Sequence, residues 1–294
     1  MLRVWLLVGV AIFSCALVVL GSSVSDQVRA AGDPVLVGAG DISRCDLPGD
    51  EATAKLLDNI SGTVYTLGDN AYPEGTDSQF RDCYGSTWGR HKARTRPSIG
   101  NHEYYGPEGA RPYYDYFGTS AGPRGKGYYS YNRGSWHIVV LNSMCSKVSC
   151  AAGSAQETWL KADLAAHPNK CTLAYFHHPR FTSGGTNSTA VAPFWKALYE
   201  ARAEVVLSGH HHLYERFAPQ NPSGVADWAR GIRQFTVGTG GRGLYMELIK
   251  PNSQVRNTTA QGVLKLTLHS SSYEWKFVPI AGKTFTDSGT KMCH

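Results

Sequence analysis

Three consecutive histidines, His210-His211-His212, follow Gly209, and a second pair, His177-His178, precedes Pro179. Asn101-His102 follows Gly100, Asp41 follows Gly40, and Asp69 follows Gly68. Each of these five groups closes a short, largely apolar run: Val35-Leu36-Val37, Val64-Tyr65-Thr66-Leu67, Pro97-Ser98-Ile99, residues 172–176 and Val205-Val206-Leu207. Such runs read as buried strands, and open α/β sheets gather ligands at the carboxyl ends of their strands. Groups far apart in sequence can therefore meet. Two Asp, one Asn and several His, without Cys, suit divalent or trivalent cations of borderline to hard character. The donors are too many for one ion and enough for two, with Asp69 as the expected bridge. Two ions about 3.5–4 Å apart with a hydroxide between them are a recurrent device for phosphoester hydrolysis. If the backbone stays extended beyond Gly209, His210 and His212 share one side and His211 faces away.

The elements that must position these groups alternate. Helical patterns at residues 51–59, 78–84, 155–166 and 193–202 separate the strand-like runs, and residues 128–131 and 137–141 read as a strand pair. After Ile232 the helices largely stop, leaving strands at residues 235–237, 263–269 and 273–279. This order predicts one α/β domain, a four-layer α-β-β-α sandwich of two mixed sheets flanked by helices. The long loops at residues 70–78 and 104–127 are expected to form a pocket rim.

Residues 4–20 are almost wholly apolar after Arg3, and a small-residue cleavage pattern ends at Ala30. That is the layout of a secretory signal peptide over residues 1–30, leaving residues 31–294 as the catalytic domain and the product secreted or on the cell-envelope exterior. The length of the apolar run also admits an uncleaved membrane anchor. Without Cys15, six cysteines remain, an even number that suits disulfides in an exported chain. Cys145 and Cys150 close a short loop; Cys45 with Cys83 and Cys171 with Cys293 are the pairing chosen for the rest. Thiolate ligation of zinc would need CxxC-type spacing, which is missing. The net charge of +6 is scattered, with no basic arm or aromatic-interleaved patch for nucleic acid. His137, between Trp136 and a β-branched run, reads as a satisfied core or edge histidine. Glu103 reads as either a solvated charge or a support for the site.

The five motifs Gly40-Asp41, Gly68-Asp69-Asn70-Ala71-Tyr72, Gly100-Asn101-His102-Glu103, His177-His178-Pro179 and Gly209-His210-His211-His212 resemble those of the calcineurin-like metallophosphoesterase superfamily, and within it the purple acid phosphatases. Most of the superfamily carries Asp-x-His in the first motif, whereas Ser43 stands at that third position here. Purple acid phosphatases likewise lack that histidine and use a tyrosine three residues after the bridging Asp, the offset of Tyr72. The resemblance implies a first metal held by Asp41, Asp69, Tyr72 and His212, and a second by Asp69, Asn101, His177 and His210. It implies Fe(III), which suits a phenolate, plus a divalent Fe, Zn or Mn. The implied activity is hydrolysis of phosphate monoesters of phosphorylated small molecules by a metal-activated hydroxide. His102 would protonate the leaving group, with His178 also catalytic, and His178, Arg180 and His211 would hold the phosphate. A phosphodiesterase on the same site and a non-enzymatic exported metal-binding protein are the alternatives. Plant-type relatives carry an extra N-terminal β-sandwich domain, whose functions are not transferred. Oligomeric state is left open.

Overall fold

The computed structural model describes residues 1–2, 32–169, 171–246 and 248–294; the expected signal peptide, apart from its first two residues, lies outside them. Side chains alternating at period two build the middle of the molecule. Trp136, Ile138 and Val140 join one core cluster with Val37, Val64, Leu67 and Leu264. Val139 and Leu141 join another with Leu160, Phe194, Trp195 and Leu198. Both faces of that strand are therefore buried, one against a second sheet and one against helices.

The order is β1 (Val35–Ala39), α1 (Gly49–Asp58), β2 (Thr63–Leu67), β3 (Thr95–Ser98), α2 (Arg111–Phe117), β4 (Tyr129–Arg133), β5 (Trp136–Val140), α3 (Ala155–Ala166), β6 (Cys171–Tyr175), α4 (Ala192–Glu200), β7 (Val205–Ser208), β8 (Tyr214–Phe217), β9 (Arg233–Val237), β10 (Ser253–Asn257), β11 (Gly262–Leu268), β12 (Ser272–Pro279) and β13 (Ser288–Met292). One sheet runs β13-β12-β11-β1-β2-β3 and the other β10-β8-β9-β7-β6-β5-β4. The strands β1, β2 and β3 are parallel neighbours, as are β5, β6, β7 and β9. The fold is the expected α/β architecture of two mixed sheets flanked by helices. All five motifs sit at carboxyl ends of parallel strands. Residues 33–294 form one compact unit.

Local chemistry sets the helix starts. The Ser154 side chain accepts the Glu157 N–H at 3.2 Å, while the Glu157 carboxylate takes the Gly153 N–H, a variant of the capping box. Pro193 occupies the first turn of α4, where its missing N–H has no helical partner to lose. The disulfides are Cys45–Cys83, Cys145–Cys150 and Cys171–Cys293, as expected. They suit an oxidising compartment.

Two expectations are corrected. Residues 79–84 form a widened π-type turn in which the Gly85 N–H reaches Phe80 O, followed by a 3-10 turn over Trp88–Arg94. The wide turn buries Phe80, Cys83 and Tyr84 together, with Phe80 and Tyr84 packed on Phe117. The segment 104–127 is not all rim: α2 buries Tyr113, Tyr114 and Phe117, so the Tyr113-Tyr114 pair is packing. Among the described residues no helix is long and apolar enough to cross a membrane.

Candidate metal centre

Sharp turns after β1, β2 and β7 place Asp41, Asp69 and His210 at φ values of 59°, 50° and 69°. This left-handed region costs an L-residue roughly 1–2 kcal/mol. The backbone beyond Gly209 is thus not extended, which corrects the expected two-sided arrangement of the histidines. His210 and His212 enter the centre, and His211 is also buried, its ring 4.8 Å from that of His210.

Asp41 and Asp69 each spend one oxygen on backbone and offer the other to the centre. Asp41 Oδ2 accepts the His210 N–H at 2.8 Å, and Asp69 Oδ1 accepts that of His102 at 2.9 Å. Around the free oxygens two groups of donor atoms assemble. Tyr72 Oη lies 3.0 Å from Asp41 Oδ1, 3.1 Å from Asp69 Oδ2 and 3.3 Å from His212 Nε2. On the other side, Asp69 Oδ2 is 3.2 Å from His177 Nε2, and Asn101 Oδ1 is 3.0 Å from both His177 Nε2 and His210 Nδ1. His210 Nδ1 is 3.2 Å from His177 Nε2. Asp69 Oδ2 belongs to both groups. Ligand atoms about 2.0–2.1 Å from one cation lie roughly 2.9–3.4 Å from each other. The spacing therefore fits one ion per group.

The outer atoms agree. His177 Nδ1 donates to Leu67 O at 2.7 Å and His212 Nδ1 to Gly243 O at 3.0 Å, so both present Nε2 inward. Such outward hydrogen bonds orient ligating imidazoles. In the absence of a cation, the electrostatics are unfavourable. Burial would lower the His177 pKa, but Asp69 outweighs it and holds it at about 9. His210 is pressed down to about 2 by burial and then by His177 and His178. Tyr72 is pushed well above its ordinary value by burial and by Asp41 and Asp69. The proton on His177 stands where a cation would balance the buried carboxylates of Asp41 and Asp69.

His102 Nδ1 donates to Pro73 O at 2.5 Å, and its Nε2 lies 3.7 Å from Asp69 Oδ2, on the solvent side of the centre. The ring packs against those of Tyr72 and Tyr105, with centroids 4.1 and 4.7 Å away. His178 is bound by Ser143, whose Oγ accepts the His178 N–H at 2.9 Å and lies 3.0 Å from Nδ1. The His178 ring is 4.4 Å from that of His210. Burial, followed by His177, lowers its pKa to about 3, so it is neutral. Arg180 lies over the Phe181 ring at 4.6 Å, and its buried Nε has no hydrogen-bond partner.

Four contributors were outside the expected site. Glu103 is fully buried, and its carboxylate accepts N–H groups from Asn70 at 2.6 Å, Gly100 at 2.7 Å, Asp69 at 3.1 Å and Ala71 at 3.3 Å. It is a support for two ligand-bearing loops, not a solvated charge. Burial, then Asp69, raises its pKa to about 7. Ser143 follows β5, and Arg242 ends the Gly-rich stretch after β9 and lies 4.4 Å over the Tyr72 ring. Tyr105 donates nothing to the expected set but accepts the Asn101 Nδ2 hydrogen at 2.9 Å. The strand-end rule applied to Asn142-Ser143 and to Gly240-Gly241-Arg242 would have found two of the four.

Comparison with known proteins adds an independent line. A model of the family described as calcineurin-like phosphoesterase matches residues 34–214. Purple acid phosphatase 22 of Arabidopsis thaliana is 30% identical over 236 residues, 71% of this chain and 52% of its own length. Purple acid phosphatase 21 of the same plant is 30% identical over 159 residues, 50% of this chain and 35% of its own length. The chain spans about half the length of the first of these relatives and less of the second. Among solved structures, the purple acid phosphatase PPD1 from yellow lupin (Lupinus luteus) seeds superimposes with a TM-score of 0.70 at 18% identity, over 88% of this chain and 54% of that one. GAP50, the anchor in the inner membrane complex of Plasmodium, does so with a TM-score of 0.68 at 14% identity, over 87% and 88%. These two likenesses concern the fold.

Proposed function

From the premise that the chain belongs to the calcineurin-like phosphoesterase family, we propose that it is an exported, purple acid phosphatase-like hydrolase of phosphate monoesters with a dinuclear metal centre. One observation carries the reading: Asp69 Oδ2 is common to two donor groups whose internal spacings, 3.0–3.3 Å, suit one cation each. Asp41, Asp69, Tyr72 and His212 would hold one ion, and Asp69, Asn101, His177 and His210 the other. A phenolate ligand argues for Fe(III) in the first position, with divalent Fe, Zn or Mn in the second. When bound, the two cations supply the charge that polarises phosphoryl oxygens and acidifies a water.

The side chains supply the rest. His178, kept neutral and fixed by Ser143, offers its other nitrogen as a hydrogen-bond donor to a phosphate oxygen. His211, whose ring stands 4.8 Å from that of His210, and Arg180 are the further candidates for holding the phosphate. His102, with Nδ1–H committed to Pro73 O, has only Nε2 for proton exchange. In the reaction, water adds to phosphorus, the bond from phosphorus to the ester oxygen breaks, and the proton from His102 Nε2 goes to the departing alkoxide. The products are an alcohol and inorganic phosphate. Export is supported by the apolar segment at residues 4–20 together with the three disulfides.

The test compares 4-nitrophenyl phosphate with bis(4-nitrophenyl) phosphate on metal-loaded protein, with the visible spectrum recorded alongside. Monoester turnover well above diester turnover, and a tyrosinate-to-iron absorption lost in Tyr72→Phe, are expected. Faster diester turnover would make the protein a phosphodiesterase, and a colourless active protein would remove the iron assignment.

A further inference from the structure

Tyr105 is 59% exposed, although its hydroxyl is tied down and its ring packs against that of His102. A single exposed aromatic is ordinary on a protein surface. Three contacts make this one different. Its hydroxyl accepts the Asn101 Nδ2 hydrogen at 2.9 Å, so the ring is anchored to a residue of the centre. Its ring stands 4.7 Å from that of His102, tilted by 60°. Its backbone N–H donates to His102 O at 3.3 Å, continuing the tight turn that carries His102. The ring is thus held in one orientation beside the side chain that meets the departing oxygen, with an open face.

We propose that Tyr105 is a specificity-determining residue, a platform on which the leaving group of the ester lies, favouring monoesters of phenols over those of saturated alcohols. The inference rests on the phosphatase reading and on His102 as the proton donor. Whatever is attached to the oxygen that His102 protonates must pass next to the His102 ring, and Tyr105 is the exposed ring packed there. A flat group gains from an aromatic face that is already fixed, because no rotamer freedom is lost on binding. The other ring packed on His102, that of Tyr72, is buried and has no such face to offer.

The experiment measures kcat/KM for phenyl phosphate and glycerol 2-phosphate on the metal-loaded full-length protein and on Tyr105→Phe and Tyr105→Leu. The ratio of the two substrates is compared between proteins, so the greater intrinsic reactivity of the phenyl ester cancels. Metal content is measured on each sample, which separates loss of the bond to Asn101 from loss of the platform. The expected result is a phenyl-to-glycerol ratio about three- to tenfold lower in Tyr105→Leu, in line with the value of one aromatic pair. Tyr105→Phe keeps the ratio, since the ring remains. Equal losses on both substrates in Tyr105→Leu would reduce Tyr105 to a support for Asn101 and overturn the proposal. A ratio lowered as much in Tyr105→Phe as in Tyr105→Leu would assign the selectivity to the hydroxyl, which also overturns it. If the unaltered protein hydrolyses neither ester, the phosphatase reading itself fails and the platform falls with it.

Discussion

Loading the centre with cations should release protons, and the number follows from the geometry. At pH 7.5 the metal-free His177 is protonated, because Asp69 prevails over burial and holds its pKa at about 9. With a pKa of about 9, most of His177 carries the proton at that pH. A cation bound at Nε2 needs the lone pair that the proton occupies, since Nδ1–H is committed to Leu67 O. Tyr72 is a neutral phenol in the metal-free protein, its pKa raised by burial and by Asp41 and Asp69, and it must lose its proton to ligate. His210, at about 2, has none to give. Two protons per molecule are the least expected, one from His177 and one from Tyr72; His212, whose pKa Asp41 raises against burial, and any water acidified by the ions add to them. The assay is addition of divalent zinc to chelator-stripped protein in weak buffer with a pH indicator. Tyr72→Phe should release about one proton fewer, and raising the pH to about 10.5 should remove the His177 share. The same shift has a stability consequence. A histidine whose pKa rises from 6.5 to about 9 on folding stabilises the metal-free protein fully below pH 6.5. That stabilisation, roughly 3 kcal/mol, is lost as pH climbs through 9. Fewer than one proton released at pH 7.5, with both cations bound, would refute the ligand assignment of His177 and Tyr72 together.

Gly100→Ala should evict Asp69, since a Cβ there would lie 2.2 Å from Asp69 Oδ1 and 2.4 Å from its backbone N. The cost expected is roughly 1–3 kcal/mol in a urea denaturation of the metal-free protein, with loss of metal in atomic absorption; unchanged metal content would count against the bridge. Ser143→Ala removes the hydroxyl that holds both the Nδ1 and the N–H of His178. It should lower kcat/KM about tenfold, a 1.4 kcal/mol loss, while metal content stays whole. Unchanged kinetics would take His178 out of phosphate binding.

The strands that carry the centre were legible because their signal is local and redundant. Apolar runs such as Val205-Val206-Leu207, each closed by glycine and then a polar side chain, mark a buried parallel strand and its functional end at once. Other strands carry no such mark. In the edge strand β13 exposed and half-buried residues alternate, and β10 at the other sheet's edge and β8 beside it are short and rich in polar residues, so pairing rather than pattern makes them strands. The widened turn at Gln79–Tyr84 was illegible for a related reason: its geometry follows from burying Phe80 and Tyr84 against α2, a partner distant in sequence. Glu103 was visible but ambiguous, since an acidic residue after His102 looks the same whether it faces water or four backbone N–H groups. Arg242 is legible only if the strand-end rule is extended to Gly240-Gly241-Arg242, and Tyr105 only as a residue of the rim loop, because their partners are ring contacts made after the loops close.

The centre also depends on the two sheets being docked, because neither holds a complete set of donors. Asp41, Asp69, Tyr72 and Asn101 follow strands of the first sheet, and His177, His210 and His212 follow strands of the second. At the join, a Cβ on Gly209 would come within 2.8 Å of both Asp41 Oδ2 and Leu67 O, so only glycine lets the second sheet approach this closely. The His210 N–H then reaches Asp41 Oδ2, and the His177 Nδ1–H reaches Leu67 O, each bond running from one sheet to the other. The left-handed turns at Asp41, Asp69 and His210 oppose folding, and interactions made only in the docked state must offset them. Cations shared across the join would add to that docked state by mass action. Metal binding and sheet docking would therefore be coupled, and a chelated protein should first loosen at this seam, with faster hydrogen exchange at the His210 N–H than within β6.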